Sequence, residues 1–297
     1  MEPARLYVVG NGFDLHYRIK SGYCDFGSYV KARDSAMHES LGFLSSDFTW
    51  GDFENELGGL GDVDLNDLAK NYGAAGPDED VAFGLERDLV AYDSVRLTVE
   101  NALRSRELFE LFDEWIRGIE FPDPFPCDGL VADSEEALYL TFNYTETIEK
   151  FFGVDPQRVL HIHGSRLGKD ALVFGHNRAL DCTDSWCQSL TDYHALDESL
   201  SHVRGFLAET RKPVDRIIRG NREFFDGLKP VSEIIVIGLS WSSVDSRYFE
   251  LIRDGVAANA RWGVYMYGSD KERSNIARKI DAIIGPNWDR LEYPETV

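Results

Sequence analysis

Hydrophobic residues in this chain fall in short, dense runs separated by long amphipathic stretches. Leu6, Tyr7, Val8 and Val9 form the first run; ALYLTF (137–142), RVLHIHG (158–164), EIIVIG (233–238) and RWGVYMYG (261–268) follow it. Runs of this length, rich in β-branched and aromatic residues, suit strands buried on both faces of a parallel sheet. LVFGHN (172–177) is a candidate for a further short strand. From residue 28 to about 120 the period lengthens to that of helices. WGDFENEL (50–57) sets Trp50, Phe53 and Leu57 on one face, and long helices run from Val81 to Ile119 until Pro122, Pro124 and Pro126 interrupt them. GGLGDVDLNDLAKNYGAAGPDEDVAF (58–83), rich in Gly and Asp, reads as containing an exposed loop. Strands alternating with helices predict one α/β domain over residues 1–297 with a doubly wound, mainly parallel, Rossmann-like sheet. Residues 27–130 form a helical insertion or cap within it, after the first strand.

The polar residues gather where the strand runs stop. Gly10, Asn143, His163 and Gly238 each end one, and in an open doubly wound sheet that edge is where ligands bind. Four such ends are expected to meet around one cleft. Gly10-Asn11-Gly12 is a turn in which glycine permits close approach of a ligand, and a helix start after it leaves several N–H groups unpaired, an anion site. The third glycine of the dinucleotide fingerprint is absent, because position 15 is Leu. Asp14 and Asp25 are helix caps or surface charges on the plain reading, and acceptors for ribose hydroxyls on the functional one.

A histidine titrating near neutrality can take a proton from water or from a ribose hydroxyl, and a carboxamide can both donate and accept. His163 and Asn143 are therefore the candidates for chemistry, against the alternative that His163 is a hydrogen-bonded core residue. His161, two positions earlier in the same strand, would share its face and is either a partner or a rival; His176 is a weaker candidate. The H-x-H spacing has no carboxylate or cysteine companion, so no metal is expected. Asp52, Glu54 and Glu56 read as a helix first turn that complements the dipole, with a metal-dependent hydrolase as the lesser alternative.

Composition narrows the classes. The 297 residues are 43% hydrophobic, which is a folded protein. Lys and Arg number 31 against 52 Asp and Glu, a net charge of -21 that repels nucleic acid and anionic lipid. No apolar run approaches the ~20 residues needed to span a bilayer, and a strand begins almost at once, so the expected location is cytoplasmic. Cys24, Cys127, Cys182 and Cys187 lack paired zinc spacing and are expected to be free thiols.

GNGFDL, SGYCDF, WGDFENEL, FNYTETIEK, HIHG and IGLSWSSVD occur in an order that resembles the AbiH family of phage abortive-infection proteins. That family in turn resembles, more distantly, the sirtuin-like NAD-binding fold. The resemblance implies that Gly10, Asn11 and Gly12 contact the dinucleotide phosphates, with Phe13 and Asp14 turning back over the ligand and Asp25 and Phe26 following. It implies Asn143, with Tyr144 beside it, on the nicotinamide-ribose side, His163 as the catalytic histidine, and Gly238, Ser240 and Ser242 towards the adenosine. The implied activity is NAD glycohydrolase (NADase) action, releasing nicotinamide and ADP-ribose. The alternative is a nucleotide-sensing or scaffold module without chemistry. The sirtuin zinc module is missing, which argues against deacylation. The partners this implies are a small-molecule dinucleotide and a phage-derived trigger, with self-association into a homo-oligomer left open.

Overall fold

The computed structural model describes residues 3–46, 48–74, 84–126, 129–132, 134–179 and 194–294. In chain order, β1 (Arg5–Val9) leads into α1 (Asn11–His16), then α2 (Tyr23–Arg33), α3 (Ser35–Leu44), α4 (Phe53–Gly59), α5 (Leu65–Ala74), α6 (Gly84–Ala102) and α7 (Ser105–Arg117). Then come β2 (Ala137–Thr141), α8 (Thr147–Phe152), β3 (Val159–His161), α9 (His194–Glu209), α10 (Val214–Gly220) and α11 (Arg222–Asp226). The chain ends with β4 (Glu233–Ile237), α12 (Ser246–Gly255), β5 (Arg261–Tyr265), α13 (Asp270–Ile284) and β6 (Trp288–Leu291).

The six strands form one all-parallel sheet in the order β3-β2-β1-β4-β5-β6, the Rossmann-like α/β fold expected from the sequence. β1 is central, and Leu6, Val8 and Val9 are fully buried there, which is why its sequence is continuously apolar. On one face Leu6, Val8, Leu140, Ile234 and Val236 pack with Tyr248, Phe249 and Ile252 of α12 and Ile280 of α13. Each such side chain contributes about 1.5–3 kcal/mol by leaving water. On the other face Tyr7 stacks on Tyr139, and Phe13 of α1 meets Phe152 of α8 at 5.5 Å.

Two compact units divide the chain. Residues 1–22, 113–173 and 213–297 carry the sheet; residues 23–112 and 174–212 make the second, whose regular elements among the described residues are helices. In the second unit, Phe26 packs against Trp50, Phe53 and Phe112.

Several expectations are corrected. LVFGHN forms no strand; only His176 makes an isolated bridge, to Arg211. The strand over 158–164 stops at His161, so His161 and His163 do not share a strand face. β6 was not anticipated, and most of 58–74 is helical, while 75–83 lies outside the described residues.

Candidate functional site

Because β3, β2, β1 and β4 are neighbours in the sheet, the four expected strand ends stand side by side at its C-terminal edge. The strand order reverses between β1 and β4, and the two glycine turns meet there. The Gly10 N–H donates to Ile237 O at 2.9 Å, and the Gly12 N–H donates to Gly238 O at 2.7 Å. A Cβ on Gly12 would lie 2.7 Å from Gly238 Cα; one on Gly238, at φ +69°, would lie 2.1 Å from Phe13 N. The glycines are thus required by the contact of one turn with the other. The Phe13 N–H is also taken, by Gly10 O, so the expected row of unpaired amides is not present at Gly10, Gly12 and Phe13. Asn11 closes the turn from outside: Nδ2 donates to Ser21 O at 3.0 Å and Oδ1 accepts from Ser21 Oγ at 2.6 Å.

The next residues of the same motif build the buried centre. Phe13 and Asp14 have no exposure at all. Asp14 accepts from Thr145 Oγ1 at 2.5 Å and Thr147 Oγ1 at 2.9 Å. Burial raises the Asp14 carboxyl to about 6, against the opposing pull of these hydrogen bonds and of Arg166. Arg166 holds Glu146 with both arms of its guanidinium, at 2.6 and 2.7 Å, and also donates to Ile119 O. Burial works against the Glu146 charge, but the Arg166 hydrogen bond and charge, a backbone hydrogen bond and the Lys150 charge together outweigh it and keep that carboxyl low.

Asn143 is 5% exposed and gripped at several points. Its N–H donates to Thr141 Oγ1 at 3.0 Å, and its carbonyl lies 2.9 Å from His161 Nδ1. His161 Nε2 is 2.7 Å from Glu149 Oε1, so both ring nitrogens face acceptors and the imidazolium is favoured. Burial lowers the His161 pKa, but the Glu149 hydrogen bond and charge raise it overall. Among the described residues, Asn143 Oδ1 is buried without a hydrogen-bond partner.

His163 faces other neighbours. The chain turns after His161, and Gly164 at φ +91° completes the turn. The His163 ring packs edge-on to Phe142 at 5.3 Å and to Tyr248 of α12 at 5.8 Å, and is 3% exposed. Its Nε2 lies 3.6 Å from Asp245 Oδ1. Tyr144 donates its hydroxyl to Val173 O at 2.8 Å. Ser240 is exposed, and Ser242 Oγ accepts from the Val244 N–H at the start of a helical turn.

The remaining candidates lie in the second unit. Asp25 is half-buried in the first turn of α2, and Phe26 is fully buried. His176 accepts from the Arg178 N–H at Nδ1 and donates from Nε2 to Leu207 O, a neutral structural role; its pKa is lowered by burial. Glu54 pairs with Lys212 at 2.8 Å and accepts from the Gly175 N–H. Asp52 accepts from Asn55, and Glu56 from Thr49, so the three carboxylates are used separately. Among the described residues no group of three or more His, Cys, Asp and Glu is arranged to hold a metal, and no helix is long and apolar enough to cross a membrane. Cys24 is an exposed free thiol; Cys127, Cys182 and Cys187 lie outside the described residues.

Thr145, Thr147, Glu149, Arg166 and Asp245 were not singled out from the sequence. The available signal was the pair of alternate threonines in FNYTETIEK, the motif that reaches Asp14 of GNGFDL. No curated protein matches the chain. The family described as bacteriophage abortive infection AbiH matches residues 6–266, which takes in both glycine turns, Asp14, Asn143 and His163. The chain therefore belongs to the AbiH family, and its role is in abortive-infection defence against bacteriophage.

Proposed function

We propose that the protein acts in phage defence by binding NAD at the C-terminal edge of its sheet and hydrolysing the N-glycosidic bond. The observation that carries this reading is Asn143: a buried amide residue at the strand end beside the switch point, its main chain held by Thr141 and His161, with its side-chain carbonyl oxygen unsatisfied. Doubly wound sheets take nucleotides at the reversal of strand order, here between β1 and β4. The missing Cβ volume of Gly10 and Gly12 is occupied by Leu239 and Gly238, so the phosphates would be held by more than a bare glycine cradle.

In the reaction the bond from the ribose carbon to the nicotinamide nitrogen breaks, and nicotinamide leaves as a neutral molecule. Water adds its oxygen to that carbon and loses a proton, giving ADP-ribose. Asn143 orients the water or a ribose hydroxyl through Oδ1, and His163 receives the proton. NAD loss is toxic to the cell, so the activity would be held off until a phage-derived trigger is present.

A second reading is favoured by the 3% exposure of the His163 ring and by the commitment of the Gly10, Gly12 and Phe13 amides. On it the protein senses a nucleotide and signals to a partner without chemistry. The test is nicotinamide release from NAD, with and without extract of phage-infected cells. Release that disappears in His163→Ala and Asn143→Ala supports hydrolysis; full activity in both variants removes their roles. Stoichiometric calorimetric binding without release under either condition supports the sensor, and absence of binding rejects both.

A further inference from the structure

His161 ties the end of β3 to the end of β2 and to α8. Its ring stands between two acceptors: Nδ1 lies 2.9 Å from the Asn143 main-chain oxygen, and Nε2 lies 2.7 Å from Glu149 Oε1. Both side chains are largely out of water, at 11% exposure for His161 and 14% for Glu149. Among the described residues, Glu149 Oε2 is buried without a hydrogen-bond partner, so this carboxylate relies on the histidine. A main-chain carbonyl accepts only, and so does an ionised carboxylate. A neutral imidazole has one N–H and can serve one of them; serving both takes the imidazolium. When the ring loses a proton, the remaining N–H stays with the charged acceptor, since a charge-assisted hydrogen bond is about twice as strong as a neutral one. A lone pair then faces the Asn143 carbonyl, and that contact is lost. Asn143 is the residue whose Oδ1 is buried and unpaired, and its carbonyl is one of its two main-chain anchors, Thr141 being the other.

We propose that His161, clamped by Glu149, is a positioning residue that holds the Asn143 main chain so that Oδ1 is set to accept from a ligand, and that it does so only as the imidazolium. The inference rests on the NAD reading for the identity of the ligand and adds control of the same site by pH. His161 is thereby a partner of the site and not a rival to His163.

Burial disfavours the charged ring, but Glu149, the Asn143 carbonyl and the Glu146 charge together raise its pKa above the ordinary 6.5. The clamp is therefore closed on the acid side of that raised value and opens as pH climbs through it. The charged groups around the ring are Glu149 of α8, Glu146 just before it with its partner Arg166, and Asp14 of α1 beneath Thr145 and Thr147. Glu146 is held low and stays ionised throughout, and Asp14 titrates at about 6.

The first measurement needs no ligand. The His161 ring nitrogens are identified in a proton–nitrogen spectrum as the signals lost in His161→Ala. The Asn143 carbonyl carbon is identified, in protein carrying carbon-13 in its asparagine carbonyls, as the signal lost in Asn143→Ser. In wild type the two should titrate together above 6.5, with both ring nitrogens protonated on the acid side. In Glu149→Gln the ring should titrate lower, and the carbonyl should stop following it. A response due to Asp14 would sit near 6 and persist in that variant. A carbonyl that does not move with the ring overturns the proposal, as does a ring already neutral at pH 6.5. Should a variant fail to fold, sequential assignment identifies the same signals and the wild-type titration decides.

The second measurement is calorimetry with ADP-ribose as the probe, from pH 6.5 to about 9. Wild-type affinity should fall about tenfold across the His161 titration. Glu149→Gln should still bind and should lose this dependence, because a carboxamide N–H there donates to Nε2 of a neutral ring whose Nδ1–H stays on the Asn143 carbonyl. His161→Ala should bind about tenfold more weakly than wild type at pH 6.5, with no dependence on pH. A pH profile that survives in Glu149→Gln, or wild-type affinity and profile in His161→Ala, overturns the proposal. Wild-type binding that ignores pH also overturns it and leaves the NAD reading standing. If wild type binds no ADP-ribose while the Asn143 carbonyl still follows the ring, the positioning role stands and the NAD reading fails.

Discussion

Glu54 and Asp14 are both carboxylates taken largely out of water, one in each unit of the chain, and they are held by unlike means. Glu54 faces the ammonium of Lys212 at 2.8 Å, with the Lys212 side chain only 1% exposed, and the Gly175 N–H adds a second contact. Its charge is neutralised on the spot. Asp14 has two hydroxyls in contact and feels the Arg166 cation only through space. Hydrogen bonds from neutral groups do not offset full burial, so this carboxyl rises to about 6 while remaining structurally fixed. A paired charge suits a permanent joint; a carboxylate solvated by neutral donors can change its protonation state near physiological pH and hand the change to what it touches.

Breaking the pair in the second unit should have the largest effect. Lys212→Met leaves Glu54 buried and uncompensated and should cost about 3–5 kcal/mol in denaturant unfolding; adding Glu54→Gln should recover much of it. If Lys212→Met alone is neutral, the pair contributes nothing to stability and the contrast collapses.

The next effect concerns pH. The folded pKa of Asp14, about 6, lies above its ordinary 3.8, so between these values the folded protein keeps a proton that the unfolded chain has released. Stability from this group is therefore fully present below about 4 and falls as pH rises through 6, by about 3 kcal/mol at most. Asp14→Asn should remove that fall, read as the difference between wild-type and variant stability curves over pH 4–7. A difference curve without slope would refute the raised pKa.

Thr147→Val tests the hydroxyls with a smaller change. It removes one of the donors that hold the pKa down, so the carboxyl carbon of Asp14 should titrate higher than in wild type. Stability at neutral pH should drop by about 1–2 kcal/mol. An unmoved titration would mean that the Thr147 contact does not bear on the charge.

The two histidines of HIHG show where pattern reading stops. Their spacing placed both on one strand face, but the strand ends at His161, which stands in register with Thr141 and meets Glu149 of α8. His163, past the turn, packs on Phe142 and Tyr248 instead. β6 escaped notice because WDRL at a sheet edge has only part of one face to bury and carries no apolar run. Asp14 drew two readings from the sequence, a cap or surface charge and a ribose acceptor, because nothing local separates an exposed aspartate from one covered by threonines more than a hundred residues away.

Composition and periodicity were enough for the α/β class, for β1, β2, β4 and β5, and for the strand ends as the candidate edge, since a strand covered on both faces must be written in apolar residues and must stop where polar ones begin. They could not supply the order β3-β2-β1-β4, the contact between the two glycine turns, or the burial of Asp14 beneath Thr145 and Thr147. Those depend on segments far apart in the chain being brought within hydrogen-bonding reach, and no local pattern records which partner a buried polar group will find.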